Sequence, residues 1–372
     1  MKLIIERAVL LSSLGHVQSV VERRNTIPIL SNVQLEASST ALSLTATDLD
    51  LAIVEKAPAK VEQVGATTVP AHTFHDIVRK LPEGAEVELT YHGAEGRLTL
   101  RAGRSEFSLA CLPKEDFPVM AAGDLGFHFN LSAAELRRLV DKTRFAISME
   151  ETRYYLNGIH LHATKSGPQA VLRAVATDGH RLARVEMPLP AGAAGMPGVI
   201  VPRKTVNELR KQIDGVGDGV KVSLSDTKIR FAFMDAILTS KLIDGTFPDY
   251  ERVIPSGNDK MLEVGCKDFA AAVDRVATIS TEKSRAVKFA LDKDRLTVSA
   301  SSPENGSALE EIPVAYAAQA LEIGFNSRYL LDIAERIEGE TASFAMNDAA
   351  SPTVVRDGAD EGALYVLMPM RV

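Results

Sequence analysis

The sequence has 372 residues, of which 45% are hydrophobic and 24% are charged. These are the proportions of an ordinary globular protein, and the length predicts two or three domains of about 100 to 150 residues each. No run approaches the roughly 20 apolar residues that cross a bilayer. Charged residues at positions 6 and 7 interrupt the N-terminal aliphatic run, so we expect no signal peptide and a cytoplasmic location. Cys111 and Cys266 lie far apart without metal-binding spacing, which predicts two buried thiols, no disulfide, no metal and no cofactor.

The charge of the chain is unevenly distributed. The net charge of −7 argues by itself against nucleic acid, because non-specific binding depends on neutralising phosphates with Lys and Arg. By segment, however, the net charge is −4 over residues 1–125, +4 over residues 126–255 and −7 over residues 256–372. Basic character is therefore concentrated in the middle of the chain.

In the first third, hydrophobic periodicity predicts a helix over residues 6–22 and a second helix over about 71–80. The alternating run over residues 97–112 contains turn residues at its centre and predicts a β-hairpin. This third is therefore expected to combine a helix pair with antiparallel strands.

The middle third repeats this order. A helix is predicted over residues 132–146, with Ser132 as N-cap and Glu135 completing a capping box. A second helix is predicted over 203–213, followed by a hairpin over 228–243. The stretch "MPLPAGAAGMPG" at 187–198 has no periodicity and indicates a surface loop.

The last third follows the same plan, with helices predicted over residues 266–279 and 327–338 and a final strand over 362–370. The repetition is also visible in the sequence itself. Residues 67–91 align with 199–225, and Phe117 precedes Phe247 by the same 130 positions that separate Asp48 from Asp178. We therefore predict three copies of one α+β domain, at 1–125, 126–255 and 256–372, each with two helices packed on an antiparallel sheet.

The cluster "VATDGHRLA" at 175–183 invites assignment as an active site. It nearly copies "LTATDLDLA" at 44–52, which lacks the histidine and the arginine. The shared Thr-Asp pair therefore predicts a brace at a strand end, and Gly179, His180 and Arg181 are peculiar to the second copy. Three interpretations stay open: a hydrolase using Asp178 and His180, a structural histidine, or a binding surface. The hydrolase lacks support, because no nucleophile elbow or phosphate-binding glycine loop accompanies the cluster.

Two further features allow two interpretations each. Basic residues concentrate on the two predicted helices of the middle third, namely Arg137, Arg138, Lys142, Arg144, Arg203, Lys204, Arg210 and Lys211. They form either a solvated helix face or a surface for a polyanion, which would be bound through its backbone without sequence preference. The apolar C-terminus "LYVLMPMRV" is either core packing or a surface that accepts partner segments.

Several long motifs together resemble one family. They are "RYYLNGIHL" at 153–161, "VATDGHRLA", "VIVPRK" at 199–204, "SKLIDGTFPDYERV" at 240–253 and "MPMR" at 368–371. In order and spacing they resemble the bacterial DNA polymerase III beta subunits, the sliding clamps, and the resemblance covers the whole chain. It implies a head-to-tail homodimer whose six domains form a ring around duplex DNA. The ring would tether polymerases and the clamp loader and have no catalytic activity, whereas the alternatives are the hydrolase and a monomeric protein-binding scaffold.

The resemblance also implies three sets of site residues. The partner-peptide cleft would comprise Arg153, Tyr155, Leu156, Thr177, Gly179, His180, Arg181, Leu182, Pro248, Arg252, Val253, Asn326, Tyr329, Val366, Leu367, Met368, Pro369, Met370 and Arg371. Its apolar floor would be Leu182, Val253, Met368 and Met370, with Pro248 and Tyr155 as walls and His180, Arg181 and Arg371 at the rim. DNA would contact Arg24, Tyr154, Arg203 and Lys204. The dimer interface would include Arg101, Arg104, Phe107, Leu109, Ile279, Glu304, Glu310 and Glu311.

The sequence departs from the family pattern on the DNA-facing side. Asn25 stands in place of a proline and Thr73 in place of a basic residue, while Glu150 and Glu151 occupy positions where uncharged polar residues are common. These differences leave open how strongly that face holds DNA.

Overall fold

The computed structural model describes residues 1–121, 123–214, 217, 219–280 and 285–371. Within these ranges, none of the helices has the length and apolar character needed to cross a membrane. The chain forms two compact units. Unit 1 contains residues 1–137, 190–196 and 204–242, and unit 2 contains residues 138–189, 197–203 and 243–372.

Within the described residues, each third of the chain has a strand, a helix, a run of strands, a second helix and three final strands; the run between the helices has five strands in the first and last thirds and four in the middle third. The first third contains β1 Lys2–Glu6, α1 Arg7–Gln18, β2 Asn32–Ala37, β3 Ala41–Thr47, β4 Leu51–Pro58, β5 Lys60–Gln63, β6 Gly65–Pro70, α2 Ala71–Lys80, β7 Glu86–His92, β8 Arg97–Ala102 and β9 Ser105–Ala110. The middle third contains β10 Phe127–Leu131, α3 Ala133–Asp141, β11 Gly158–Ser166, β12 Gln169–Thr177, β13 Arg181–Pro188, β14 Val199–Pro202, α4 Arg203–Ile213, β15 Val220–Leu224, β16 Lys228–Ala232 and β17 Ala236–Lys241. The last third contains β18 Lys260–Gly265, α5 Cys266–Ala277, β19 Ala286–Asp292, β20 Arg295–Ser302, β21 Gly306–Pro313, β22 Ala315–Tyr316, β23 Leu321–Asn326, α6 Ser327–Ala334, β24 Thr341–Met346, β25 Thr353–Asp357 and β26 Asp360–Leu367.

Unit 1 contains two antiparallel sheets. One has the order β5-β1-β7-β8-β9, so that β9 lies at its edge. The other has the order β10-β15-β16-β17-β4-β3-β2-β6 and is continuous because β17 pairs with β4. Strands of the first and second copies thus share one sheet.

Unit 2 has the same construction. Its larger sheet has the order β14-β11-β12-β13-β26-β25-β24-β18-β22, and the antiparallel pair of β13 with β26 joins the second copy to the third. The smaller sheet has the order β21-β20-β19-β23, so that β21 lies at its edge. Helices α5 and α6 pack together, as α1 and α2 do in unit 1.

The predicted helices are present, and their ends differ for local reasons. The helices predicted over 71–80 and 203–213 have these bounds in the structure. The capping box is confirmed, since the Ser132 amide donates to Glu135 Oε2 at 2.7 Å and the Glu135 amide donates to Ser132 Oγ at 3.1 Å. Helix α3 stops at Asp141 rather than 146, because the Thr143 hydroxyl donates back to the Leu139 carbonyl at 2.5 Å and the chain leaves helical geometry there. Helices α1 and α6 are also shorter than predicted.

Two predictions about burial were wrong in part. The stretch 187–198, predicted as a surface loop, buries Ala193 and Met196. Its Gly192 has a φ of +93°, and a Cβ there would lie 2.1 Å from the His128 carbonyl oxygen, so the close packing requires glycine. Cys266 is buried as predicted, whereas Cys111 is only partly buried; both thiols are free, and burial raises the pKa of each.

Candidate functional site: a peptide cleft and a cationic face

The Thr-Asp pair forms the same turn in both copies. In unit 2 the Thr177 hydroxyl donates to the Arg181 carbonyl at 2.7 Å, and Asp178 Oδ1 accepts the amides of His180 and Arg181 at 3.0 Å each. In unit 1 the equivalent hydroxyl and carboxylate make the same contacts between β3 and β4. The predicted brace at a strand end is therefore confirmed, and Asp178 is occupied as a turn residue.

The two turns differ at the residue after the aspartate. Gly179 has a φ of +86°, and Leu49 at the equivalent position has a φ of +80°. A leucine in this conformation is strained, because its Cβ approaches the backbone too closely. Glycine removes that strain and leaves space beside Arg153, whose Nη1 lies 2.9 Å from where a Cβ would stand.

An open apolar pocket of about 230 Å³ lies beside this turn in unit 2. It is lined by Leu156, Thr177, Gly179, Arg181, Leu182, Pro248, Asp249, Tyr250, Val253, Val366 and Met368. Strands β12, β13 and β26 supply one side, and the turn at 248–253 supplies the other. Nine of these residues belong to the 19 that the resemblance implies for a partner cleft, so the fold brings about half of that set together around one pocket.

The remaining cleft residues surround the pocket or face elsewhere. Tyr155 packs against the buried apolar cluster beneath the pocket, and His180 stacks on Tyr329 with ring centroids 6.4 Å apart. Arg252 is exposed and pairs with Asp249 at 2.7 Å. Leu367 alternates with Val366 along β26 and is instead buried beside residues of α6.

The chain end lies close to the pocket through backbone contacts. The Met368 amide donates to the His180 carbonyl at 2.9 Å, and the Met370 amide donates to the Gly324 carbonyl at 2.8 Å. Met368 is exposed at the pocket, while Met370 is only partly exposed and does not line it. Asn326 accepts the Arg328 amide and caps α6, and Arg371 is exposed.

Arg181 lines the pocket but is not exposed at its rim. It is buried, its Nη1 pairs with Asp332, its Nη2 donates to the Phe145 carbonyl at 2.6 Å and its Nε donates to Asp178 at 3.1 Å. The guanidinium also lies 4.3 Å from the centroid of the Tyr329 ring. With its donors engaged, Arg181 holds the cleft wall together rather than offering a free charge.

Sequence reasoning missed two lining residues, Asp249 and Tyr250. Tyr250 is buried, and its hydroxyl accepts a hydrogen bond from Arg173 at 2.8 Å and lies 3.0 Å from His162 Nε2. The signal lay in "SKLIDGTFPDYERV" at 240–253, where Tyr250 follows the buried Phe247 by three positions.

The residues predicted to contact DNA differ in exposure and in ion pairing. In unit 1 Arg24 is exposed, whereas Lys204 pairs with Asp48 and, at 2.9 Å, with Glu22. Burial lowers the pKa of Lys204, but hydrogen bonds to these two carboxylates outweigh burial and raise it. In unit 2 Tyr154 is exposed and Arg203 is partly buried.

Part of the predicted cationic helix face is directed inward. Lys142 lies one residue beyond α3, is buried and pairs with Asp360 at 2.6 Å. Arg138 reaches the same carboxylate at 2.5 Å. Burial raises the pKa of Asp360, but hydrogen bonds from Arg138 and Lys142 outweigh it and lower the pKa to about 2. These two cations therefore pair with a carboxylate within unit 2 and are not free to bind a polyanion. The positive surface is smaller than the sequence indicates.

The implied dimer residues lie on or near two edge strands. On the β8-β9 hairpin, Arg101 pairs with Glu106 at 2.8 Å, Arg104 is exposed and Leu109 is buried. On β21, Glu310 pairs with Arg275 at 2.5 Å and Glu311 lies 3.6 Å from Arg295. Of the other implied residues, Phe107 and Ile279 are partly exposed and Glu304 is exposed.

Edge strand β21 also exposes an apolar residue that the resemblance did not supply. Leu309 is 66% exposed and lies outside the implied dimer set. Among the described residues, His, Cys, Asp and Glu form no group of three that could hold a metal ion.

Comparison with known proteins decides the family. Family models for the N-terminal, central and C-terminal domains of the DNA polymerase III beta subunit match residues 1–121, 130–249 and 251–371. The chain belongs to this family. The Beta sliding clamp of Caulobacter vibrioides is 56% identical over 372 residues, covering both chains completely. The predicted family, three-domain fold and DNA sliding-clamp function are thereby confirmed.

Solved clamp structures agree with this assignment. A crystal structure of the beta sliding clamp of Caulobacter crescentus superimposes with a TM-score of 0.98 at 56% identity, covering 100% of this chain and 99% of that one. The clamp of Bartonella birtlesii bound to griselimycin gives a TM-score of 0.97 at 49% identity, with both chains covered completely. Griselimycin-bound clamps therefore include a close structural relative of this chain.

Proposed function

We propose that this sliding clamp closes as a head-to-tail homodimer into a ring of six domains around duplex DNA, with domains at 1–125, 126–255 and 256–372. The observation that carries this proposal is the repeated strand junction. Strands β4 and β13 begin 130 positions apart, and each pairs antiparallel with the last hairpin strand of the following copy. In the same repeat β21 corresponds to β4 and β13, and β9 corresponds to β17 and β26.

This correspondence gives each free edge a partner. Strand β21 of one protomer would pair with β9 of the next, and two such contacts close the ring and leave neither edge exposed. Leu309 would be covered in that contact. The basic Arg101 and Arg104 would lie near the acidic Glu304 and Glu311 across it, although Arg101 already has Glu106 as a partner.

A closed ring is held on DNA by its topology and needs only weak phosphate contacts. We expect Arg24, Tyr154, Arg203 and Lys204 to make these contacts without reading base sequence. Lys204 would contribute less than Arg24, because two carboxylates already neutralise it. A net negative charge is compatible with this function, since affinity for free DNA is not what retains the ring.

We propose that the pocket beside Met368 binds a short apolar segment of polymerases and of the clamp loader. Its floor of Leu182, Val253 and Met368 is apolar, and griselimycin-bound relatives suggest that the same pocket takes that compound. The clamp would have no catalytic activity of its own and would act in the cytoplasm. Engagement of Asp178 in its turn supports this over hydrolysis.

Calorimetry with griselimycin tests the cleft. Replacing Met368 by Ala removes apolar surface from the pocket and should weaken binding about tenfold, equivalent to about 1.4 kcal/mol. Met261→Ala is the matched control, because Met261 is 46% exposed, Met368 is 40% exposed, and only Met368 lines the pocket. Equal affinities for the two variants would place the binding site elsewhere.

A further inference from the structure

A network of hydrogen bonds between buried side chains lies beside the pocket. The Arg173 guanidinium is buried, with Nε 2.8 Å from Glu186 and Nη1 2.7 Å from Glu251, and Nη1 also donates to the Tyr250 hydroxyl at 2.8 Å. The same hydroxyl lies 3.0 Å from Nε2 of His162 on β11. Tyr250 itself lines the pocket, so this hydrogen-bond network connects the sheet to the cleft wall.

The direction of the hydrogen bonds follows from the groups involved. A guanidinium only donates, so Arg173 supplies the proton in its bond to Tyr250. The hydroxyl proton of Tyr250 then needs an acceptor, and of its two polar neighbours only His162 has one. Nε2 of His162 accepts this proton only when it is unprotonated.

We infer that His162 is a positioning residue of the cleft, which in its neutral form holds Tyr250 and the turn at 248–253 in the shape that binds a partner. This inference rests on the proposed function of the pocket. The turn supplies Pro248, Asp249, Tyr250 and Val253 to the lining, so its order sets one wall. A protonated His162 would donate to a hydroxyl that already accepts from Arg173 and leave the Tyr250 proton without an acceptor.

A second histidine, His160, stacks on His162. The His160 ring is 4.5 Å from that of His162 and 4.8 Å from that of Phe247, to which it is nearly parallel at 7°. Phe247 belongs to the apolar cluster that includes Leu182 and Tyr250. A positive charge on either histidine would therefore lie next to the buried apolar side chains that support the cleft.

The surroundings favour the neutral forms. Burial, and next the Arg173 charge, lower the pKa of His162, and burial followed by His162 lowers the pKa of His160 to about 4. The charged groups that act on His162 are Arg173 on β12 and Glu251 on the turn, and Tyr250 lies within hydrogen-bond distance of it. Around them, Arg184 and Glu186 on β13 interact with Arg173, and Arg356 on β25 interacts with Arg184. Because the folded pKa values of both histidines lie below the ordinary histidine value of about 6.5, the ordered turn is favoured above that pH and loses support as pH falls.

The test is griselimycin binding by the full chain at pH 8, 7, 6 and 5. Affinity should fall by about threefold or more between pH 7 and pH 5 in the unsubstituted protein. The fall should be much smaller in His162→Gln, whose amide supplies an acceptor that does not titrate. Each pH is compared between the two proteins, so that pH effects on the compound itself cancel. Parallel profiles, or a flat profile in the unsubstituted protein, would overturn the inference.

A readout without ligand separates this inference from the proposed function. Hydrogen exchange at residues 250–254, corrected for intrinsic rates, should show protection that decreases from pH 7 to pH 5 in the unsubstituted protein and persists in His162→Gln. His162→Phe, which lacks an acceptor, should show low protection at both pH values. Absence of griselimycin binding at pH 8 would contradict the proposed cleft, whereas equal exchange in all three proteins would contradict the role of His162.

Discussion

Three cations of unit 2, Lys142, Arg173 and Arg181, are buried in ion pairs with acidic residues. The sequence predicted an exposed helix face for Lys142, open to solvent or to a polyanion, and the resemblance implied a rim position in the partner cleft for Arg181. Neighbouring letters show a cation and not its partner. Lys142 pairs with Asp360, which lies more than 200 positions away in the sequence, and Arg181 pairs with Asp332 on α6. Such distant pairs depend on the tertiary fold, so residue composition could not predict them.

Arg24, which is exposed, and Lys204, which is partly buried, allow a direct comparison. Arg24→Ala should reduce the salt dependence of binding to a short linear duplex by about 0.9 in the log–log slope, the value for one phosphate contact. Lys204→Ala should reduce it by clearly less, because Glu22 and Asp48 already pair with Lys204. Fluorescence anisotropy against salt concentration measures both slopes. A larger loss for Lys204 than for Arg24, or a dependence on base sequence, would contradict this assignment.

The paired turns predict opposite effects of exchanging their central residues. Gly179→Leu should lower the Tm, because a leucine at a φ of +86° is strained by about 1 kcal/mol or more and approaches Arg153. Leu49→Gly should not lower it, since glycine relieves the same strain at +80°. Thermal melts followed by circular dichroism compare the two variants. If Leu49→Gly were the more destabilising change, contacts of the Leu49 side chain would outweigh the backbone strain.

At the scale of elements, helix starts were more predictable than helix ends. The N-cap Ser132 and its partner Glu135 lie three positions apart, so local sequence determines where α3 begins. Its end depends on the Thr143 hydroxyl and on the buried ion pair of Lys142, which local periodicity does not reveal. The turn at 248–253 was likewise predictable only in part, because Tyr250 acquires its place through Arg173 on a distant strand.

The ion pairs at the end of α3 predict an asymmetry. Asp360→Ala should destabilise unit 2 by about 3–5 kcal/mol, because it leaves the buried Lys142 without its nearest carboxylate. Lys142→Met should be milder, since Asp360 keeps Arg138 at 2.5 Å. Urea denaturation compares the variants, and similar losses for both would show that Lys142 does not depend on Asp360.

The same carboxylate gives a pH dependence. The folded pKa of Asp360, about 2, lies below the ordinary aspartate value of about 3.9, so its contribution is present above about pH 4 and is lost as pH falls toward 2. The stability difference between the unsubstituted protein and Asp360→Ala should therefore shrink in acid. A constant difference from pH 5 to pH 2 would contradict the charged pair as its cause.

For the whole molecule, the repeat was the most informative feature of the sequence. The 130-position offset between Asp48 and Asp178 predicted copies of one domain. In the structure the two aspartates accept the equivalent backbone amides in two turns of the same kind. The sequence did not predict that β17 pairs with β4 and β13 with β26, because strand partners across copies depend on nonlocal packing. These junctions leave β9 and β21 at sheet edges and lead to the proposed ring.

The proposed interface predicts the oligomeric state. At micromolar concentration sedimentation should give about twice the chain mass of 40.1 kDa. Leu309→Lys should shift the equilibrium toward monomer, because it would bury an added charge at the β9-β21 contact. Val119→Lys is the control, as Val119 is 85% exposed and lies outside both edge strands. A monomeric unsubstituted chain, or dissociation by both variants, would contradict the interface.

Retention on DNA tests the central claim most directly, since a ring that encloses a duplex is held by topology. The protein is loaded onto nicked circular plasmid with a bacterial clamp loader and isolated by gel filtration at a salt concentration that screens phosphate contacts. The plasmid is then cut at a single site, and the bound protein is measured again. We predict stable retention on the circle and rapid loss from the free ends after cutting. Equal retention before and after cutting, or release from the intact circle by salt alone, would contradict a closed ring.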